Sequence, residues 1–148
     1  MKKLVLTTCV AVVSLLAFAK PPKKDNSKGL YTYAANQSLK TMYGKVDNLT
    51  WSQTKNHMLR ANFTQEGEAL SVFFDENGNY VATTSEISIE QVPSAARKAI
   101  KSKSEGNEVL GLVQYSSDTE MAYFLELNEG GKHAIYKVSG RGVISKFM

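Results

Sequence analysis

The sequence predicts an α+β fold of two tandem helix-plus-antiparallel-strand repeats, forming one curved antiparallel sheet with both helices on one face. Three observations predict it. Helical periodicity occurs twice, period-two alternation follows it each time, and landmarks recur about 64 residues apart. Trp51 answers to Tyr115, Gly67 to Gly131, and the turn at Asn77-Gly78 to the one at Arg141-Gly142.

The elements follow in order. Leu39, Met42, Tyr43 and Val46 at helical spacing predict a first helix over 31–46, frayed near Gly44. Strands are expected over 49–53, 57–64, 68–75 and 80–84. In the third of these, Leu70, Val72 and Phe74 alternate against Ala69, Ser71 and Phe73, the pattern of a half-buried strand. Asn77-Gly78 is read as a two-residue hairpin turn with both residues at positive φ. Val92-Pro93-Ser94 opens a second helix with proline at its first helical position. Its apolar stripe is Val92, Ala95, Ala96, Ala99 and Ile100; Arg97, Lys98, Lys101 and Lys103 form the wet face, and residues 104–107 stop it. A second strand set runs over 109–116, 121–127, 134–138 and 143–148. Met121, Tyr123, Leu125 and Leu127 share one face, as do Ala134, Tyr136 and Val138.

Residues 1–19 are expected to be a signal peptide: a basic Met1-Lys2-Lys3, an apolar run to Phe18, and a small-x-small site at Ala17-Phe18-Ala19. The run is shorter than the roughly 20 residues a spanning helix needs, so no stable membrane span is expected after cleavage. Residues 20–30 read as a flexible polar leader, and residues 31–148 as a single duplicated domain with repeats at about 31–88 and 89–148. Cys9 lies inside the apolar run, so the exported chain has no cysteine, no disulfide and no thiolate metal site. Setting aside Lys2 and Lys3, sixteen basic residues face fourteen acids, scattered along the chain. A nucleic-acid footprint would be a basic stripe interleaved with stacking aromatics, and none is present.

The helix opening Val92-Pro93-Ser94-Ala95-Ala96 resembles that of the PepSY-like proteins of Bacteroidetes. So do Val72 to Tyr80 with its turn, Met121 to Leu127, and the signal peptide. The resemblance covers about 31–148. That family is similar to the beta-lactamase-inhibitor protein, a pair of helix-plus-four-strand repeats in one curved sheet. The resemblance implies an exported, non-enzymatic protein that grips a partner with a sheet face and hairpin loops. No inhibitory residue carries over by position, and the absence of cysteine from 20–148 departs from that disulfide-containing inhibitor.

Several residues have the spacing of a site but also a plain structural role. Asp75, Asn77 and Asn79 have the spacing of a calcium loop with Glu86 downstream, but Tyr80 stands where that loop needs glycine, and the matching turn lacks an acid. A hairpin turn accounts for them better. His57 and His133 are the only imidazoles and are not equivalent in the repeat, so neither a metal nor a cofactor is expected. No G-x-S-x-G elbow or glycine-rich phosphate loop is present. The expected binding residues are the aromatics Trp51, Tyr80, Tyr115 and Tyr136, with Asp75, Asn77 and Asn79 as a loop. The expected function is binding of an envelope protein or peptide, in the periplasm or after secretion. The alternative is a periplasmic carrier of a small molecule or ion.

Overall fold

The computed structural model describes residues 33–148. The signal peptide expected over 1–19, Cys9 within it, the leader over 20–30, and Tyr31 and Thr32 lie outside the described residues. The elements are α1 (Tyr33–Tyr43), β1 (Asp47–Gln53), β2 (Leu59–Gln65), β3 (Glu68–Phe74), β4 (Tyr80–Glu86), a 3-10 turn (Ile89–Gln91), α2 (Ser94–Ser104), β5 (Glu108–Ser116), β6 (Met121–Glu129), β7 (Lys132–Ser139) and β8 (Ile144–Lys146). The eight strands form an open antiparallel sheet in chain order. The chain divides inside β4, into a unit ending at Val81 and a unit beginning at Ala82.

In the first unit, Ala35 and Leu39 of α1 pack on Leu59, Ala61, Phe63, Val72 and Phe74. These strand residues alternate, so one face of β2 and β3 is spent on the helix. Tyr43, Val46, Trp51, Leu70 and Tyr80 close the rim of this core. The expected helical stripe is shifted: Met42 is exposed and Ala35 is fully buried. β2 begins at Leu59 rather than His57, because His57 takes φ +62° in a turn closed by the Thr54 N–H to the Met58 carbonyl.

In the second unit, Val92, Ala96 and Ile100 pack on Leu112, Tyr123, Leu125, Leu127, Ala134, Tyr136 and Val138. Ala95, expected on the buried stripe, is exposed. Pro93 is the N-cap and not the first helical residue: its ψ of 147° is extended, and its carbonyl accepts from the Arg97 N–H. Arg97, expected on the wet face, turns its guanidinium back onto the carbonyls of Glu90 and Val92.

The hairpins correct one expectation. The two-residue turns with two positive φ values are Glu66-Gly67 and Gly130-Gly131, and not Asn77-Gly78. At 75–79 only Gly78 has positive φ. The Gly78 N–H donates to the Asp75 carbonyl and the Asp75 N–H to the Asn79 carbonyl. That is a three-residue loop ending in a left-handed glycine. The second unit repeats it, with the Gly142 N–H on the Ser139 carbonyl and the Ser139 N–H on the Val143 carbonyl.

Both of these glycines are also packing residues. A Cβ on Gly78 would lie 2.5 Å from the Ala35 nitrogen, and one on Gly142 would lie 2.7 Å from the Ala95 oxygen. Each unit therefore seats its helix on a bare backbone turn, a close approach that only glycine permits.

Candidate binding surface

The seven residues expected to form a site fall into three different settings. Trp51 packs at a tilt on Phe74 at 5.8 Å and lies, with Tyr80, partly buried against the α1-side core. Tyr136 is buried in the α2-side core. Its hydroxyl donates to the Glu129 carboxylate at 2.8 Å, and Lys103 sits 4.2 Å over its ring while pairing with Glu129 at 3.0 Å. These contacts pin the end of α2 to the β6–β7 hairpin. Contact with Tyr136 and then with Glu129 raises the Lys103 pKa. Hydrogen bonds from Lys103 and then Tyr136 hold the Glu129 carboxyl below its ordinary value.

Tyr115 is different. In register it opposes Ala122, whereas Tyr136 opposes Leu125, so the two tyrosines lie on opposite faces of the second unit. Tyr115 packs edge-on against Phe124 at 6.0 Å, and Phe124 against Phe147 at 5.3 Å. This aromatic row is on the face away from α2. The Glu120–Lys137 ion pair and the Glu126–His133 hydrogen bond border it. That face is not uniformly wet: Ala122, Phe124 and Ile135 on it are buried.

Asp75, Asn77 and Asn79 are brought together, but the carboxylate is occupied by its own loop. One Asp75 oxygen accepts the N–H groups of Asn77 and Asn79, and the other accepts the Asn79 amide at 2.9 Å. Desolvation pushes the carboxyl up, yet the bonds from Asn79, Asn77 and Gly78 outweigh it and leave the pKa below its ordinary value. The spacing that mimics a calcium loop is the chemistry of an Asx turn. Ser38 Oγ donates to the Gly78 carbonyl at 2.9 Å, which holds the loop on α1. Among the described residues, no group of three or more His, Cys, Asp or Glu side chains could hold a metal ion.

The first unit carries a polar group that periodicity alone did not single out. Arg60 opposes Ser52 on β1 and Phe73 on β3, which puts it on the face away from α1. It is only 8% exposed. Its Nε donates to Ser52 Oγ at 3.2 Å, and burial lowers the guanidinium pKa. Two residues along the same face, Asn62 accepts from Ser71 Oγ at 2.7 Å, while its Nδ2 is a buried donor without a partner. A cation between Leu59 and Ala61, near the start of β2, was the signal available in the sequence.

One cleft of about 390 Å³ lies within the second unit, between the 3-10 turn, the end of α2 and β5. Its walls include Ile87, Ile89, Ile100, Val109 and Leu110, with Lys101 as the cation. No described helix is long and apolar enough to cross a membrane.

No family model matches the sequence, and neither does any curated protein. Solved structures do. A BLIP-like protein of Bacteroides fragilis has a TM-score of 0.71 at 23% identity, over 84% of this chain and 90% of that one. A DUF2874 family protein of Bacteroides uniformis gives 0.71 at 19%, over 77% and 86%. A Bacteroides eggerthii protein, provisionally described as periplasmic, gives 0.70 at 16%, over 80% and 90%. The chain has the fold of these Bacteroides proteins, as the sequence resemblance implied.

Proposed function

We propose that this chain is an exported binding module that engages a protein or peptide of the cell envelope without catalysing a reaction. In this reading residues 1–19 direct export, 20–30 are a leader, and 31–148 are two copies of one helix-plus-strand repeat. Both helices would cover one face of a curved sheet and leave the other for the partner. The observation that supports it most is the aromatic row Tyr115–Phe124–Phe147, set on the face away from α2 between the Glu120–Lys137 ion pair and the Glu126–His133 contact. Aromatic anchors rimmed by polar groups are how protein interfaces concentrate binding energy. The shared fold with a BLIP-like protein agrees with an inhibitor-like mode, and the provisionally periplasmic neighbour with an envelope location. Tyr115 keeps its expected role here. Trp51, Tyr80 and Tyr136 would act by holding the helices, and 75–79 by seating α1.

The test is capture from envelope extract with residues 20–148 as bait. Tyr115→Ala and Phe147→Ala should each lose the captured partner, whereas Lys132→Ala on a hairpin should keep it. Equal recovery by all three would refute the assignment of the face. The cleft beside Lys101 favours a second reading, carriage of a small apolar anion. Binding of decanoate, abolished by Leu110→Glu, would shift the balance to it.

A further inference from the structure

Burying a charge is unfavourable unless a counter-charge or several hydrogen bonds replace its lost hydration. A guanidinium cannot escape by deprotonating, and it carries five N–H donors in a rigid fork. Arg60 is more than nine-tenths buried, and a single hydrogen bond to a neutral serine hydroxyl is its side-chain partner among the described residues. No described carboxylate pairs with it: among the described residues the lysine ion pairs are those of Lys103 and Lys137, and the Glu126 carboxylate contacts His133. Asn62, about 7 Å along the same face of β2, adds an unpartnered buried amide donor. Their cross-strand neighbours are Ser52 and Phe73 for Arg60, and Thr50 and Ser71 for Asn62. A buried guanidinium without a counter-charge, beside a buried amide donor without a partner, is not what a packed sheet selects for its own stability, and such groups call for an occupant.

We propose that the face of the first unit away from α1 is a carboxylate-binding site, in which Arg60 and Asn62 receive an acidic side chain of the bound protein or peptide. This rests on the protein-binding reading above and names the chemistry of one contact within it. A single cation flanked by a neutral amide matches one negative charge, and the planar fork matches a carboxylate in two parallel hydrogen bonds. Phe73, fully buried beside Arg60, supplies the low-dielectric wall that strengthens such a pair.

The probes are the peptide acetyl-Ser-Asp-Ser-amide, its Asn twin, and sodium acetate. Sodium chloride serves as the control for ionic strength. Proton–nitrogen NMR follows the Arg60 Nε–H and Asn62 amide signals during titration. The Asp peptide should shift both signals saturably, acetate should compete with it, and the Asn twin should act like chloride. Arg60→Met should weaken Asp-peptide binding by roughly ten- to hundredfold, the size of a lost charge-assisted pair. Arg60→Lys, which keeps charge but not the fork, should fall between. Arg60→Met should also keep or raise Tm, because it removes an uncompensated buried charge. Shifts no larger than those from chloride, or Asp and Asn peptides binding alike, would overturn the proposal. So would a marked fall in Tm for Arg60→Met, since the chain would then already compensate the charge. None of these probes needs the natural partner, so failed capture and failed carboxylate binding remain separate results.

Discussion

Asp75 and Ser139 occupy the same place in two turns of the same shape, one per unit. The backbone bonds match to within about 0.1 Å, at 2.9 and 3.0 Å in one and 2.9 and 2.9 Å in the other. The side chains do not match. Asp75 accepts three hydrogen bonds within its loop, while Ser139 Oγ accepts one, from the Val143 N–H at 3.1 Å. What the turns share is a bare glycine against a helix. The comparison teaches that packing of the helix on the turn is the common constraint, and the polar chemistry around it is free to differ.

Trp51 and Tyr115 teach the complementary lesson. They are 64 residues apart, as are Ala61 and Leu125 or Val72 and Tyr136, all four of which lie in the helix-side cores. Yet Trp51 opposes Ala61, whereas Leu125 is opposed by Leu112. The positional counterpart of Trp51 is therefore Leu112, and Tyr115 falls on the other face. The reason is a longer β5–β6 hairpin: Gln53 pairs with Leu59, but Gln114 pairs with Tyr123, three residues further along the chain. An odd shift in a strand reverses every side chain.

Substitutions can break or sharpen this pairing of units. The largest losses are expected at the helix-side cores, where Leu39→Ala and Ile100→Ala should each lower stability by about 2–5 kcal/mol in urea denaturation. Similar values would mean that the two helices are held alike. Gly78→Ala should cost about 2–4 kcal/mol, combining a strained positive φ with overlap against Ala34 and Ala35. Gly142→Ala should cost somewhat less, because its closest contacts are 2.7 and 3.1 Å rather than 2.5 and 2.6 Å. Gly67→Ala, with the same φ but open space around it, should cost only about 1 kcal/mol. If all three lose the same amount, the seating of the helices on the turns carries no energy. Asp75→Ala should then cost about 1–2 kcal/mol and Ser139→Ala about 0.5 kcal/mol, following the number of bonds each makes.

The smallest effects are those of pH. The Asp75 and Glu129 carboxyls are lowered in the folded state, so their contribution is present above their ordinary values of 3.8 and 4.5. It fades as pH falls through the lowered values. Lys103 is raised, so its contribution is complete below 10.5 and fades as pH rises through the folded value. A stability profile should lose part of its acid limb in Asp75→Asn and its alkaline limb in Lys103→Met. Ser139→Ala should change neither, because that side chain does not titrate.

Much of the fold could be read in advance, because alternation and helical spacing are local and repeat at short range. Met121 to Leu127 and Ala134 to Val138 face as their pattern requires. The candidate site was far less visible. Arg60 reads as an ordinary exposed strand cation until Phe73 and Ser52 are seen beside it, and Phe147, five residues past Gly142, joins Phe124 only through strand pairing. Asp75, Asn77 and Asn79 were conspicuous for their spacing, but the Asp75 carboxylate is spent on the N–H groups of Asn77 and Asn79 and on the Asn79 amide.

The order of helices and strands, the two-faced strands and the places of the turns follow from the sequence by itself, since each depends on residues within a few positions of one another. Which face each aromatic takes, which glycine bears a helix, and where a buried cation is left without a counter-charge were decided only by the tertiary structure. Those outcomes depend on register and on contacts between distant segments, and a strand slipped by one residue would exchange its two faces without altering its pattern.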